Sequence, residues 1–416
     1  MTTLIGTQQI ANHHEGTIES GRLFAAGANA SLIDHEQAYG PLELHGINAS
    51  FIDVVARAGL TGRGGAAFAS WRKLAATQSN TSARRFTRTV VIANGAEGGP
   101  LSFKDKTLLA NAPHLVIDGV LVAGRAVNDA QLYMYVNAGS MPAVKAAISQ
   151  RHDASKIKVI LSPDTFLSGE ASAVVNAVAS NTALPLDKRL RLSQAGLKGQ
   201  PTLVLNVETL AHTALIARFG AAWFRDMGTE HDPGTRLISV SGHGSEQVLE
   251  VAGSASVGDI LATAAVDPSA VQAILIGGYH GRWVRPLNYR LAPQGPRNEV
   301  VRPGAGVIHL LGMGQCGLTS TAAIARYLAG ESAKQCGPCM FGLPAMAKTL
   351  TALASGDRDP RLPAELARLA MLVSGRGACN HPDGFVQLID SALETFSEDV
   401  DAHLSGRCMA TQGGQL

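Results

Sequence analysis

The chain has 416 residues, which is long enough for about two to four domains at roughly 150 residues each. A hydrophobic content of 46% and a charged content of 16% are typical of a folded globular protein and exclude a disordered one. The net charge is +2 with no basic tract, which gives no indication of nucleic-acid binding, and no secretory signal precedes the first elements, so we expect a cytoplasmic protein.

The first half of the chain alternates between strand and helix patterns. Residues 1–45 are polar and weakly periodic, which predicts an irregular N-terminal arm. Over residues 46–232 the alternation predicts an α/β domain with a largely parallel sheet. The predicted helices cover 52–58 and 113–127, a third begins at residue 142, and the predicted strands cover 89–93, 131–136 and 157–161. The apolar stretch 115–127 is interrupted by charges and shorter than the ~20 residues of a membrane helix, so we expect no direct membrane insertion.

The second half divides into a β-rich and a helical part. Residues 233–325 predict short strands with one helix, a small module of the β-grasp type. Over residues 326–416 apolar side chains recur at helical spacing, which predicts an all-α domain. Its predicted helices cover 343–353, 364–373 and 383–404.

A glycine-rich loop, GLTGRGGAAF over residues 59–68, joins two predicted helices. Glycines let backbone amides approach an anion, and the N-terminus of a helix favours negative charge. Arg63 and Lys73 can add charge-assisted bonds to a phosphate. The spacing is not that of a dinucleotide fingerprint, and an ordinary tight turn remains an alternative.

Two further loops follow predicted strands, over residues 94–100 and 166–170. Open α/β sheets bind ligands at the carboxyl ends of their strands. Asn94 can bond to the polar edge of a flavin, and Glu97 can tune its electronic properties. An ordinary connecting loop is the alternative for both segments.

The chain has five cysteines, an odd number without a secretory signal, which favours metal chemistry over a disulfide framework. Cys336 and Cys339 form a CxxC at a helix start, and Cys379 follows in a glycine-rich turn. Four cysteines normally hold an iron–sulfur cluster or a zinc ion, and only these three are suitably arranged. A redox dithiol and inert cysteines remain alternatives. Cys316 and Cys408 look unpaired, so we predict that each is a small buried hydrophobe.

Five segments, in order between about residues 50 and 390, resemble the family of NADH-binding flavoprotein subunits of respiratory complex I and related formate dehydrogenases and hydrogenases. They are GLTGRGGAAFASWRK, NGAEGGPLSFKDK, FLSGEASAVVNA, GLKGQPTLVLNVETL and ESAKQCGPCMFG. The resemblance implies an FMN-binding α/β domain, a β-grasp module of the soluble-ligand-binding type and a C-terminal four-helix bundle. It also implies that the bundle holds a [4Fe–4S] cluster.

Residue by residue, the resemblance assigns four sets of site residues. Glu97 and Glu170 would be catalytic, and Cys336, Cys339 and Cys379 would bind the metal cluster. The FMN phosphate would be held by Gly62, Arg63, Gly64, Gly65 and Lys73, and its ribityl chain and ring by Asn94, Glu97, Gly169, Glu170, Asn206 and Thr209. The nicotinamide nucleotide would contact Phe68, Lys188 and Arg191.

The chain departs from the family pattern at functional positions. Ala333 replaces the first cysteine of the cluster motif, which leaves three alternatives: a [3Fe–4S] cluster, a [4Fe–4S] cluster with water or a non-cysteine ligand such as Ser332 or His381, or no cluster. Ala96, Gly99 and Ala171 stand where the family has acids. Ala76 and Arg191 stand where the family has aromatic side chains against adenine, so the donor is open between NADH and NADPH.

These observations together predict an FMN-dependent electron-transfer oxidoreductase. It would pass electrons between NADH or NADPH and an iron–sulfur cluster, with a ferredoxin-like or 2Fe–2S partner protein and a membrane-bound reductase as further acceptors. The alternative is a non-catalytic flavin- or cluster-binding assembly subunit that has lost NADH oxidation. A flavin-free regulatory relative is a third possibility.

Overall fold

The computed structural model describes residues 21–82, 88–186, 190–286, 289–296 and 299–411. Lys188 and residues 1–20 of the predicted arm lie outside the described residues. Three parts follow one another along the chain: an α/β part, a β-sheet with one helix, and a helical part.

The described part of the predicted arm is ordered against the α/β part, and residues Leu32–Tyr39 form helix α1. Ser31 and Asp34 form a capping box, in which each side chain accepts from the backbone N–H of the other residue. Tyr39 and Leu23 are buried in the main core. The prediction of an irregular arm is wrong for this segment, because local capping starts a helix whose apolar periodicity is weak.

The sheet of the first part has four parallel strands in the order β3-β2-β1-β4. The parallel sheet predicted from the sequence is confirmed, and its central strand β1 is almost wholly buried, as expected where both faces are covered. The strands are β1 (Val90–Gly95), β2 (Gln131–Val136), β3 (Lys158–Leu161) and β4 (Thr202–Asn206). The helices around them are α2 (Phe51–Ala58), α3 (Ser70–Ser82), α4 (Lys104–Asn111), α5 (Pro113–Ala126), α6 (Met141–Ser149), α7 (Ala171–Ser180) and α8 (Val207–Arg225).

Helix α5 is buried on nearly all sides and packs closely against α8. A Cβ atom at Gly119 would lie 2.0 Å from the carbonyl oxygen of Leu210, so glycine is required for this approach. Among the described residues no single helix has the length and apolar character to cross a membrane. Helices α4 and α5 meet that criterion only as a pair, by length and composition alone, and the chain bends by 96° between them.

The second part is a five-stranded sheet in the order β6-β5-β11-β7-β8. Its central pair, β5 and β11, is parallel and the other neighbouring pairs are antiparallel. Helix α9 (Val257–Thr263) covers a separate apolar core with these strands. The strands are β5 (Thr235–Gly242), β6 (Ser245–Ala252), β7 (Val271–Ile276), β8 (Arg282–Val284), β9 (Arg290–Leu291), β10 (Val300–Val301) and β11 (Val307–Gly312), of which β9 and β10 pair separately.

The third part is helical, as the apolar spacing predicts. Its helices are α10 (Gly317–Gly330), α11 (Leu343–Ala354), α12 (Leu362–Val373), α13 (His381–Thr395) and α14 (Ser397–Leu404). The predicted boundary between residues 325 and 326 falls inside α10. The single helix predicted over 383–404 is two helices, because the chain bends at Phe396, whose buried ring packs against Trp283.

Candidate functional site

A cleft with a volume of about 260 Å³, partly open to solvent, lies where the three parts meet. Residues of all three parts line it, including Asn94 and Asn206 from the α/β part, Tyr279 from the β part, and Cys379 and His381 from the helical part. The cleft therefore exists only when the three parts are assembled.

The loops at the carboxyl ends of β1 and β4 form one wall of the cleft. The Asn94 amide donates to the carbonyl of Gly169 at 2.9 Å, which ties two of the predicted ligand-binding loops together. Asn206 caps α8 by accepting from the Glu208 N–H at 3.0 Å. A Cβ atom at Gly98 would lie 2.2 Å from the carbonyl oxygen of Thr165, so the two loops touch through backbone. The sequence prediction that these loops share one edge of the sheet is confirmed.

The glycine-rich loop reaches the cleft through Arg63 and Gly64. It is closed at its base, because the Gly62 N–H donates to the carbonyl of Phe68 at 2.8 Å and the Arg63 N–H donates to Oγ1 of Thr209 at 2.9 Å. Gly64 lies directly against Asn206, where a Cβ atom would approach to 3.2 Å. Helix α3 begins just after the loop, as expected.

Several residues predicted to hold FMN have other partners in this structure. The buried guanidinium of Arg63 lies 3.5 Å from the Asp232 carboxylate, which is a structural ion pair in place of the expected bond to a phosphate. Thr209 is fully buried and supports the loop, and with Gly62, Gly65 and Lys73 it does not line the cleft. Burial lowers the pKa of Lys73, whose Nζ lies 3.4 Å from the Val204 carbonyl oxygen.

Glu97 and Glu170, the predicted catalytic carboxylates, both line the cleft and both bind the first turn of a helix. Glu97 accepts from the N–H groups of Asp105 at 3.1 Å and Lys106 at 2.9 Å, at the start of α4. Glu170 accepts from two amides and a hydroxyl at the start of α7. These bonds place each carboxylate at the positive end of a helix, so the geometry supports a positioning role for both.

A buried charge cluster beside the cleft was not singled out from the sequence. Lys104 Nζ lies 2.6 Å from Asp105 Oδ1 and 2.8 Å from Glu208 Oε2. Burial lowers the pKa of Lys104, but its carboxylate neighbours, Asp105 first, raise it more strongly. Burial raises the pKa of Asp105. The neighbouring carboxylates raise it further, because a single ammonium cannot neutralise all of them. For Glu208, burial raises the pKa, yet Lys104 and other cations lower it to about 2. In the sequence, the KDK segment after the acidic loop was the available indication of this charge cluster.

The β part supplies a second wall that the sequence did not reveal. Gly277, Gly278, Tyr279 and His280 follow β7 and line the cleft. Gly278 has φ +81°, and a Cβ atom there would meet nothing closer than 3.6 Å, so glycine leaves room for a ligand. The GGYH sequence was the only local signal, and nothing in it indicates which distant loop it faces.

Aromatic rings and imidazoles join the three parts at the inner end of the cleft. The ring centroid of Phe166 lies 4.7 Å from that of His280 and 5.6 Å from that of His381. His381 Nε2 lies 2.9 Å from the Leu328 carbonyl oxygen, so it carries the proton, and Nδ1 accepts from Nε2 of His280 at 2.9 Å. Burial, and then His381, lowers the pKa of His280 to about 3, so this pair is neutral. Both ring nitrogens of His381 already form hydrogen bonds, so neither is available to bind the cluster, and the suggestion that His381 is a cluster ligand is wrong.

The three predicted cluster cysteines converge next to the cleft. Cys336 and Cys339 are hydrogen-bonded through their side chains, and Cys379 is close enough to interact with Cys339 electrostatically. The Ala378 N–H donates to the Cys336 sulfur, and the Lys334 N–H donates to the Cys339 sulfur. Burial, and then Cys336, raises the pKa of Cys339 to about 12, so a bound cation must displace its proton.

The predicted nucleotide contacts are less closely defined. The Phe68 side chain is exposed beside the glycine-rich loop, and Arg191 is also exposed. Neither residue lines the cleft, and Lys188 lies outside the described residues. Their role at the nucleotide stays a prediction.

The residues present fit both groups that the family resemblance implies. For FMN, a cleft with glycine walls and asparagine side chains offers backbone and amide groups to a phosphate, a ribityl chain and a ring. For a cluster, three thiols converge and two backbone N–H groups point at their sulfurs. Ala333 is half-buried at the position where a fourth cysteine would stand.

Two family models match the chain. The model described as the Nuo51 FMN-binding domain matches residues 55–214, which contain the loops of the first wall. The model described as the NADH-ubiquinone oxidoreductase-F iron-sulfur binding region matches residues 319–403, which contain Cys336, Cys339 and Cys379. The two matched regions border the same cleft.

Relatives extend the similarity over most of the chain. A NADH-quinone oxidoreductase subunit of Buchnera aphidicola is 26% identical over 381 residues, covering 86% of this chain and 85% of its own. Its counterpart from Salmonella typhimurium is 26% identical over 378 residues, covering 84% and 83%. An NAD+-reducing [NiFe]-hydrogenase in its air-oxidized state superposes with a TM-score of 0.78 at 26% identity. The alignment covers 85% of this chain and 62% of that hydrogenase chain.

Proposed function

This chain belongs to the family of NADH-oxidising, FMN- and iron–sulfur-binding subunits of complex I and related hydrogenases, and from that premise we propose how its residues divide the work. It is an oxidoreductase subunit that passes electrons from NADH through FMN to an iron–sulfur cluster. One observation carries the assignment to this cleft: the loops of the FMN-binding region and Cys379 of the iron–sulfur region line it together.

FMN would lie along the wall formed by the glycine-rich loop and the ends of β1 and β4. The amide of Gly64, which lines the cleft, would bond to its phosphate, and the roles of Gly65 and Lys73 stay predictions. Asn94 and Asn206 line the same side, and their side chains, already bonded to neighbouring loops, would position those loops against the ribityl chain and ring. When bound, FMN accepts a hydride and releases its two electrons singly, which no side chain can do.

The acidic residues would set the charge and shape of the cleft. Glu97 and Glu170 hold the first turns of α4 and α7, and with them the loops that face the flavin. Behind Asn206, the buried ammonium of Lys104 would balance the negative charge of Asp105. The alternative role of Glu97 as a proton carrier requires a carboxylate whose two oxygens both already accept hydrogen bonds, whereas Glu170 accepts through Oε2.

The cluster would be held by Cys336, Cys339 and Cys379, beside the inner end of the cleft. Each sulfur would bind a different iron, and the N–H groups of Lys334 and Ala378 would bond to the bound thiolates and help to set the potential. Because His381 is occupied by two hydrogen bonds, we propose that solvent takes the fourth position opposite Ala333. A [4Fe–4S] cluster held in this way would have one iron without a cysteine ligand.

The finer architecture and the partner are part of the same proposal. The parallel central pair β5 and β11, with antiparallel neighbours and helix α9, supports a β-grasp module. Helices α10 to α13 would form the four-helix bundle. Met340 and Phe341 are 51% and 71% exposed next to Cys339, an apolar surface suited to a ferredoxin-like or 2Fe–2S partner protein. We propose a cytoplasmic location, with a membrane-bound reductase as a further acceptor.

Anaerobic stopped-flow spectroscopy of the purified full chain tests this function. We expect a yellow-brown protein whose flavin absorbance bleaches on mixing with NADH, followed by bleaching of the cluster absorbance. NADPH in a parallel experiment reports the nucleotide preference, for which exposed Arg191 is the proposed determinant. Bound flavin that neither nucleotide bleaches would contradict the enzyme and support the non-catalytic assembly subunit.

A further inference from the structure

Three potential metal ligands meet at the end of the helical part that faces away from Cys336. Cys316 precedes α10, His403 lies in the last turn of α14, and Cys408 follows that helix. One ligand atom of each lies within 4.8 Å of the other two, and Cys316 Sγ is 3.4 Å from His403 Nε2. Cys408 is buried as predicted, but the prediction that Cys316 and Cys408 are unpaired is wrong, because the fold brings Cys316 together with Cys408 and with His403, which is 87 positions away.

The imidazole of His403 is oriented for coordination. Its Nδ1 lies 3.2 Å from the carbonyl oxygen of Leu353, which can only accept a hydrogen bond. Nδ1 therefore carries the proton of the neutral ring, and the Nε2 lone pair faces Cys316. Metal-binding histidines generally show this arrangement, in which the second nitrogen donates to a carbonyl or carboxylate and fixes the ring.

The two cysteines are held in place by the backbone around them, and because burial raises the pKa of Cys316, a bound cation would displace its proton. Cys316 is the N-cap residue of α10, a helix of 14 residues, and its sulfur accepts from the Thr319 N–H at 3.4 Å. Cys408 is only 3% exposed and reaches the group after a turn at Gly406, whose φ is +73°. Cys316 is half-buried, which leaves a route for an ion from solvent.

We propose that Cys316, His403 and Cys408 bind a single zinc ion that is separate from the iron–sulfur cluster. With Zn–S near 2.3 Å and Zn–N near 2.0 Å, ligand atoms in a tetrahedral site lie about 3.3–3.8 Å apart, so this compact set needs little movement. Nitrogen and thiolate ligands select zinc over magnesium or calcium. Water takes the fourth position, since the group of mutually close ligand atoms contains only these three residues.

The proposed zinc site and the cluster lie at opposite ends of α11. Cys339 stands at the start of this helical segment, and Leu353, which contacts His403, stands near its end. At 1.5 Å per residue the two positions are roughly 20 Å apart. The ion would tie the start of α10 and the chain after α14 to the end of α11, so its role is to hold the helical part together.

Metal analysis of the full chain tests the proposal. Since the chain has five cysteines, a variant with Cys336, Cys339 and Cys379 all changed to serine keeps only Cys316 and Cys408 as thiols. Purified with reduced thiols and stripped of metal, this triple variant is expected to take up one equivalent of Zn²⁺. With Co²⁺ it should show thiolate-to-cobalt charge-transfer absorption. Adding Cys408→Ser to it should lower the zinc affinity by at least tenfold.

The matched experiment in the otherwise native chain separates the two sites. Cys316→Ser and Cys408→Ser should lose zinc and keep iron and flavin, whereas Cys336→Ser should lose iron and keep zinc. Far-ultraviolet circular dichroism checks that each variant is folded; if the serine variants aggregate, Co²⁺ absorption in the triple variant decides alone. Lack of Zn²⁺ and Co²⁺ binding by the folded triple variant would overturn the proposal. A Cys316–Cys408 disulfide in protein isolated without oxygen would overturn it equally.

Discussion

The side-chain amide of Asn206 donates to the Asp105 carboxylate with Nδ2 2.6 Å from Oδ2, and this bond joins the start of α8 to the start of α4. The same asparagine caps α8 through its Oδ1 atom, so one side chain fixes two helix N-termini at the edge of the cleft. Because Asp105 also pairs with Lys104, a change at Asn206 alters both helix capping and the charge cluster.

Replacing Asn206 tests these two roles separately. Asn206→Ser keeps an N-cap oxygen but cannot reach Asp105, whereas Asn206→Ala loses both contacts. We expect the alanine variant to lower the free energy of unfolding by about 1–2 kcal/mol more than the serine variant. Both should weaken FMN binding, since both lose the amide that faces the cleft. Urea unfolding and flavin titration measure the two effects, and equal unfolding free energies would contradict the capping role.

The glutamates at the cleft are expected to act by position. Glu170→Gln keeps an oxygen that accepts from both amides of α7, and Glu97→Gln keeps one of the two oxygens that accept from α4, so flavin reduction by NADH should fall less than about tenfold. Loss of a general acid or base would cost roughly 10²–10⁴-fold. Glu97→Ala should instead lower stability by about 1–3 kcal/mol, because it leaves buried amides without an acceptor. Single-turnover reduction rates decide; a loss above a hundredfold in a stable glutamine variant would restore the catalytic interpretation.

Half-buried Glu250 should make stability fall as the pH rises. Burial raises its folded-state pKa from 4.5 to about 7, although bonds from Thr235 and the Leu23 N–H oppose the shift. The folded chain therefore holds this proton over a pH range in which the unfolded chain has lost it. Its contribution to stability is complete below about pH 4.5, decreases as the pH rises towards 7, and is lost above that value.

Glu250→Gln removes this titration and should flatten the profile. Between pH 4.5 and pH 8, the free energy of unfolding of the variant should rise by on the order of 3 kcal/mol relative to that of the native chain. Urea unfolding at several pH values measures it, with exposed Glu230→Gln as the matched control. Parallel profiles for the native chain and the Glu250 variant would contradict the assignment.

The contact between α5 and α8 should tolerate no side chain at Gly119. An alanine Cβ would lie 2.0 Å from the Leu210 carbonyl oxygen, and backbone must shift to relieve it. Such overpacking typically costs about 1–3 kcal/mol. At Gly139 nothing lies within 4 Å of the added atom, so Gly139→Ala should stay within about 0.5 kcal/mol of the native chain. Thermal unfolding compares the two, and equal midpoints would disagree with this packing.

Restoring a cysteine at position 333 should complete the cluster site. In Ala333→Cys a fourth thiolate becomes possible, so iron content should rise towards the four irons of a [4Fe–4S] cluster and persist longer in air. Gln335→Cys adds a thiol two residues away at an exposed position and is the matched control. Iron analysis and EPR spectra follow the change; identical iron content and air stability in both variants would place residue 333 away from the cluster.

Sequence periodicity and loop position predicted the scaffold well, because both are local properties. Alternating strands and helices indicated the parallel sheet, and the two predicted loops, after β1 and β3, follow strands whose carboxyl ends share one edge of it. The contribution of Tyr279 and His280 to the cleft could not be predicted, since the contact depends on how two separate sheets dock. For the same reason Cys316 and His403 showed no relationship in the sequence.

Side-chain roles were harder to predict than side-chain positions. Arg63 and Glu97 both stand at the cleft as expected, but their charged groups are used by partners elsewhere in the fold. A motif specifies which residue type occurs at a site. The hydrogen bonds that the folded chain has already formed decide which of those atoms remain for a ligand.

The cleft draws its walls from three parts, each of which has an apolar core of its own. A molecule bound there contacts all of them at once, so it stabilises their assembly by RT ln(1 + [L]/Kd) in addition to any chemistry it performs. A chain with one part misplaced would lose the affinity as well as the activity. Cofactor retention therefore reports correct tertiary assembly. The absorbance of the bound cofactors in the purified protein measures the fraction of chains that have assembled correctly.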